Sequence, residues 1–216
     1  MKTAAIIPAY NEAKTIGSVL NILKDCQLVD QVIVVSDGST DSTVHEALIF
    51  DDVEVIELLE NRGKGGAIKA GLDHTTAKIL LFLDADLIGL TTEHVNALIR
   101  PVLDGTVPMA VGVFEKGRVA TDIAQKMAPF LSGQRAVRRE LLECISDLDL
   151  SRFGAEVALH RYVEEHKVEV TVVQLPDLSH LMKEEKLGFW KGLGARAKMY
   201  WEIFKYAAKI NPHPKN

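Results

Sequence analysis

The apolar positions change period several times along the chain. Ala4–Ile7 and Val32–Val35 are continuous apolar runs bounded by turn residues, the pattern of strands buried on both faces. Val53–Leu58 and Ile79–Leu83 continue the series. Between them Ile16, Val19, Leu20 and Leu23 share one helical face, and Val44, Ala47 and Leu48 another. Thr40 or Asp41 is placed to cap the second of these helices, and a third is expected over Gly65–Leu72. Strands separated by crossover helices predict an α/β domain, with a mostly parallel, doubly wound sheet covered by helices on both faces.

The second half is less regular. Thr91–Arg100 reads as a helix stopped by Pro101, and Met109–Val113 as a strand. Ala136–Cys144 and Gly154–His166 read as helices, while Val168–Leu175 alternates as a strand does. From Gly188 to Ile210 the pattern is one long helix. No repeat, low-complexity tract or linker interrupts the chain.

Composition narrows the class without naming a function. At 216 residues, with 47% hydrophobic and 25% charged positions, the chain matches a globular domain rather than a disordered or fibrous one. No charge-free run approaches the roughly 18 apolar residues a membrane span needs. Pro8 and Glu12 interrupt the N-terminus before a signal-peptide core develops, so a cytoplasmic location is expected. Cys26 and Cys144 are too few for a disulfide framework and lack metal-ligand spacing. A net charge of -5 argues against general nucleic-acid binding. That charge is uneven: from Lys183 onward 8 Lys/Arg face 3 Asp/Glu, whereas 17 face 27 before it.

Each of the first four expected strands runs into a polar loop, and in open parallel sheets ligands bind beyond the carboxyl ends of the strands. The loops are Pro8-Ala9-Tyr10-Asn11-Glu12, Ser36-Asp37-Gly38-Ser39-Thr40-Asp41, Asn61-Arg62-Gly63-Lys64-Gly65-Gly66 and Asp84-Ala85-Asp86. Polar, glycine-rich loops at one sheet edge suggest a nucleotide site. Two carboxylates as close as Asp84 and Asp86 repel unless a cation offsets them, and a hard divalent ion suits both them and a diphosphate. A solvated turn with Asp86 capping a short helix fits the same residues. Lys64 and its glycines could meet an anion, or could merely begin a helix. Asp37 could accept from a ribose or base, or could serve its own turn.

Taken together, IIPAYNE (6–12), VVSDGSTDST (34–43), NRGKGGAIKAG (61–71) and FLDADL (82–87) resemble the nucleotide-sugar half of glycosyltransferase family 2, with its GT-A fold. The resemblance implies that Pro8, Tyr10, Glu12 and Asp37 surround the base and ribose. It implies Lys64 and Ala85 near the donor, and Asp84 and Asp86 at a Mg²⁺ or Mn²⁺ ion and the diphosphate. SGQRAVRRELLE (132–143), FGAEVALHRYVEE (153–165) and Leu178-Ser179-His180 are similar to the acceptor half of the bacterial glucosyl-3-phosphoglycerate synthase group. That similarity implies His180 as a third metal ligand, Glu156 as an active-site carboxylate, and Gly133, Gln134 and Arg135 beside the acceptor. On a helix, Arg135 and Arg139 would share a face with Arg138 beside them, a cluster either binding an acidic acceptor or pairing with Glu140 and Glu143 in solvent.

The resulting expectation is a GT-A domain over 1–187, with a donor half (1–90) and an acceptor half (91–187), followed by a basic amphipathic helix over 188–216. Its partners would be a nucleoside-diphosphate sugar, favoured as a UDP-sugar, and an acceptor such as a phosphorylated small molecule. Trp190, Tyr200, Trp201 and Phe204 line one stripe of the tail, with Lys191, Lys198, Lys205 and Lys209 around it. That stripe could pack on the domain, join a homodimer, or lie on an anionic membrane beside a polyprenyl-phosphate or glycolipid acceptor, as in dolichol-phosphate-mannose-type enzymes. Two other classes remain open: a sugar-nucleotide pyrophosphorylase, which would carry its glycine-rich loop after the first strand, and an inactive sugar-nucleotide-binding protein.

Overall fold

The computed structural model describes residues 1–114, 132–145 and 154–181, without the side chains of 154–158 and 160. The chain divides into a unit of residues 1–179 and a second from residue 180, of which His180 and Leu181 are described. The expected tail helix over 188–216, with its homodimer and membrane contacts, lies outside the described residues.

Seven strands form one sheet in the order β3-β2-β1-β4-β7-β6-β8. They are β1 (Thr3–Ala9), β2 (Gln31–Asp37), β3 (Val53–Leu58), β4 (Ile79–Phe82), β6 (Met109–Phe114), β7 (Arg135–Arg138) and β8 (Val170–Leu175). A separate pair joins β5 (Leu87–Ile88) to β9 (Ser179–His180). Within the main sheet β7 alone runs antiparallel, against β4 on one side and β6 on the other. The mostly parallel α/β expectation is met. The chain winds outward from β1 to β3 and then returns to the other side of β1 with β4. The strand order thus reverses between β1 and β4, the point beyond whose carboxyl ends open α/β sheets bind ligands.

Side chains of alternate sign along the strands serve two cores. Ala5 and Ile7 face α1 (Ile16–Lys24) and α4 (Thr92–Leu103), packing with Ile16, Val19, Leu20, Leu23, Val95, Leu98 and Val102. Ala4 and Ile6 face the opposite layer, where Ala67 and Ile68 of α3 (Gly63–His74) and Leu159 and Val163 of α6 (Gly154–Glu165) pack. Each fully buried Leu or Ile in these layers is worth about 1.5–3 kcal/mol of transfer free energy.

Three local expectations are corrected. Helix α4 does not stop at Pro101 but runs on to Leu103. Proline forfeits one hydrogen bond near a helix end, and fully buried Val102 keeps the last turn against the sheet. In α2 (Thr43–Leu48) Thr43 and Ala47 are buried, whereas Leu48 is exposed. Most consequential, Ala136–Cys144 is not one helix: residues 135–138 are strand β7, and only Arg139–Glu143 (α5) is helical. The Arg-Ala-Val-Arg segment is held by ladder bonds to both neighbours, and that pairing outweighs its helix-forming composition.

Candidate metal and donor site

The loops after β1 and β2 are sewn to one another. Asn11 takes a left-handed backbone (φ 56°), donates its N–H to Ser39 Oγ, and accepts the Thr40 N–H on Oδ1 at 2.8 Å. Next, the Glu12 N–H donates to Thr43 Oγ1 at 2.8 Å, and the Ala13 N–H to Asp41 Oδ2. Asp41 also accepts from the Thr43 N–H and from the Thr43 hydroxyl. Burial works to raise the Asp41 carboxyl, but these hydrogen bonds outweigh it and hold the group below the usual carboxylate range. Of the base-and-ribose candidates, Pro8 and Glu12 are half-buried in this seam and Tyr10 is exposed.

The next loop is tied on by Asp37. This carboxylate is 3% exposed, and its Oδ1 accepts the Arg62 N–H at 2.7 Å, while its carbonyl accepts from the Asn61 amide. Gly38 follows with φ +68°, and a Cβ there would come within 2.8 Å of the Asn61 nitrogen. Asp37 therefore holds the entry of α3, whose first turn carries Lys64, Gly65 and Gly66 and whose first N–H groups have no partner within the helix.

Lys64 reaches the fourth loop. Its Nζ lies 2.7 Å from Asp84 Oδ1, and Gln134 Nε2 donates to Asp84 Oδ2 at 2.8 Å. Gly133 lies against both: a Cβ on it would meet the Asp84 carboxylate and come within 2.6 Å of Lys64 Nζ. Antiparallel β7 makes this possible, because its start pairs with the end of β4 through Phe82 and Arg135. Ala85 is buried among the core residues beneath the loop. Asp86 leads into β5, and the pairing of β5 with β9 aligns His180. Asp84, Asp86 and His180 each offer one ligand atom, all within 4.8 Å of one another.

Two carboxylates and an imidazole form a donor set suited to Mn²⁺ and acceptable to Mg²⁺. The expected metal residues are thus brought together, and Asp86, the residue of the solvated-turn alternative, leads into strand β5 and not into a helix. The expected arginine cluster is dispersed. Arg135 is 4% exposed and donates to the Ser132 carbonyl of its own loop. Arg138 donates to the Val102 carbonyl, and Arg139 to the carbonyl of Leu72 in the last turn of α3 and to those of Thr75 and Ala77 just beyond it. Glu156 stands in the first turn of α6, with its side chain outside the described residues. Sequence inspection did not anticipate Asn11, Ser39, Thr43 or the Arg62 amide as scaffold; the one available signal was an asparagine at a strand-to-helix turn.

Comparison with known proteins agrees with this geometry. The chain is 39% identical over 104 residues to a dolichyl-phosphate beta-glucosyltransferase of Drosophila melanogaster, covering 40% of this chain and 31% of that one. It is 34% identical over 108 residues to a glucosyl-3-phosphoglycerate synthase of Mycolicibacterium smegmatis, covering 46% and 36%. It thus spans about a third of the length of these curated relatives. Crystal structures of glucosyl-3-phosphoglycerate synthase from Mycobacterium tuberculosis superpose with 28% identity and a TM-score of 0.70, over 83% of this chain and 71% of that one. One of these holds Mn²⁺, UDP-glucose and phosphoglyceric acid, and another Mg²⁺ and UDP. No described helix is long and apolar enough to cross a membrane. The family model for glycosyl transferase family 2 matches residues 4–155, and the chain belongs to that family.

Proposed function

We propose that the protein transfers a sugar from a UDP-sugar, with glucose the favoured sugar, to a phosphorylated small-molecule acceptor. The observation that carries this reading is the convergence of Asp84, Asp86 and His180 beside Lys64 at the carboxyl edge of the sheet. Support comes from the family membership and from similar structures holding UDP-glucose with Mn²⁺ and phosphoglyceric acid.

Asp84, Asp86 and His180 would hold the divalent ion, which supplies Lewis-acid neutralisation of the diphosphate as it departs. Lys64 and the N-terminal N–H groups of α3 add positive potential on the same side. The seam between the first two loops, with Asp37, positions the nucleoside. We assign Glu156 to orientation of the acceptor hydroxyl, from its place in the family-like segment at the start of α6. Catalysis then rests on positioning and on charge stabilisation at the leaving group more than on a strong base.

A second reading, a lipid-phosphate acceptor, is favoured by the 39% identity to the dolichyl-phosphate enzyme. Incubation with radiolabelled UDP-glucose and Mn²⁺, offered 3-phosphoglycerate in one reaction and a polyprenyl phosphate in detergent in another, separates the two. Label in the water-soluble product supports the first reading, label in the organic phase supports the second, and neither product nor UDP release sinks both.

A further inference from the structure

Gln134 stands in the segment whose resemblance pointed to the acceptor, but its surroundings assign it another task. Its side chain is 1% exposed, so it offers almost no surface to a second substrate. Both ends of the carboxamide are committed. A carboxylate only accepts, so the nitrogen end must face Asp84, and it does so at 2.8 Å. The oxygen end accepts the Ser132 hydroxyl at 3.0 Å, which fixes the sense of the amide. Ser132 Oγ also accepts the Gln134 N–H, and the Gln134 carbonyl accepts the Gly112 N–H from β6 at 2.8 Å. Gly133 clears the space that lets this backbone lie against Asp84 and Lys64.

We infer that Gln134 is a positioning residue for the metal ligand Asp84, oriented in turn by Ser132, rather than a contact to the acceptor. The inference rests on the cation-dependent reading given above. Asp84 is held at both oxygens, by Lys64 on Oδ1 and by Gln134 on Oδ2. The two holds differ in kind. The Lys64 ammonium competes with a metal for the same negative charge, whereas the neutral amide fixes the carboxylate plane while leaving its charge for the ion. Partners of this sort, one shell out from a metal, typically alter affinity by about 10–100-fold.

The test is Mn²⁺ binding to the full chain without substrates, followed through the electron paramagnetic resonance of free Mn²⁺, with the acceptor KM measured separately. Gln134→Met keeps the volume and removes the amide; it should weaken Mn²⁺ binding about tenfold and leave the acceptor KM within about twofold. Ser132→Ala, in a half-buried loop, removes only the orienting hydroxyl and should weaken Mn²⁺ in the same direction but less. If Gln134→Met does not fold, Ser132→Ala decides the matter. Unchanged Mn²⁺ affinity in the variants, with or without a raised acceptor KM, overturns this inference alone. Should the unaltered protein take up no Mn²⁺, the metal reading falls and the inference with it.

Discussion

The two edges of the parallel sheet are both closed by polar networks, but they spend their charges differently. At the amino edge, Gln31 donates to Glu54 at 2.8 Å, His74 meets Glu54 at 2.8 Å, and Thr75 donates to Gln31. Arg139 completes this edge by donating to three main-chain carbonyls around the end of α3. Groups there are paired with structural partners, and the result is a closed helix end. At the carboxyl edge the loops are held chiefly through backbone N–H groups and side-chain hydroxyls, as in Asn11, Thr43 and Asp37. Beside them, after β4 and in β9, two carboxylates and an imidazole offer ligand atoms within 4.8 Å of one another. Two like charges held this close, with the Lys64 ammonium on one of them, suit a further cation, so that edge fits a ligand while the other closes a helix end.

The largest expected effect breaks the carboxyl edge alone. Asp86→Asn should lower Mn²⁺-dependent transfer from UDP-glucose on the order of 10³-fold, corresponding to about 4 kcal/mol of leaving-group stabilisation. Thermal unfolding should stay within a few degrees of the unaltered protein, because Asp86 is only half-buried on its loop. Equal losses of activity and of stability would mean that the trio is a structural knot.

Gly38→Ala tests whether the scaffold of that edge is separable from its chemistry. The substitution combines a left-handed φ with a Cβ 2.8 Å from the Asn61 nitrogen and 2.9 Å from the Glu60 carbonyl carbon, both of them backbone atoms. Stability should fall by about 3 kcal/mol in urea unfolding, with UDP binding weakened in the surviving folded fraction. Arg139→Ala makes the converse change at the amino edge. Loss of charge-assisted bonds to Leu72, Thr75 and Ala77 should cost about 2 kcal/mol, with Mn²⁺ and UDP affinities unmoved. A change in Mn²⁺ affinity in Arg139→Ala would show that the edges communicate through β7.

What could be seen in advance follows the same division. The strands ending in Ala9, Asp37 and Phe82 were legible because buried parallel strands carry continuous apolar runs, and β3 through its Val, Ile and Leu between glutamates; the ligand loops begin where those runs stop. The aspartates were visible for that reason, whereas His180 was reachable only through family resemblance. Strand β7 was not legible: Ala136 and Val137 between arginines are too short a run to reveal a period, and the following Leu-Leu favours helix. Reading it as a helix placed Arg135 and Arg139 on one face. As an antiparallel strand it sets Arg135 beside Phe82 at the carboxyl end of β4 and delivers Arg139, which follows it in α5, to the amino end beside Ile79. The carbonyls that take Arg139 lie 62 to 67 residues earlier and carry no side-chain signature.

The smallest effect concerns the seam itself and is read by pH. The Asp41 carboxyl is held below its ordinary range by Thr43 and Ala13, so its folded value lies under its unfolded one. Its contribution is therefore present above the unfolded value, near pH 4, and is lost as pH falls through the lower folded value. Hydrogen exchange at the Ala13 and Thr43 amides should accelerate, beyond the intrinsic trend, on acidification through that window. In Asp41→Asn the same amides should be less protected at neutral pH, with no such step on acidification. Because Asp41 is exposed, solvent screening keeps the energy small, and local exchange will register it where global unfolding does not. Parallel acid steps in both proteins would place the sensitivity on another carboxylate, with Glu12 beside Thr15 the next to examine.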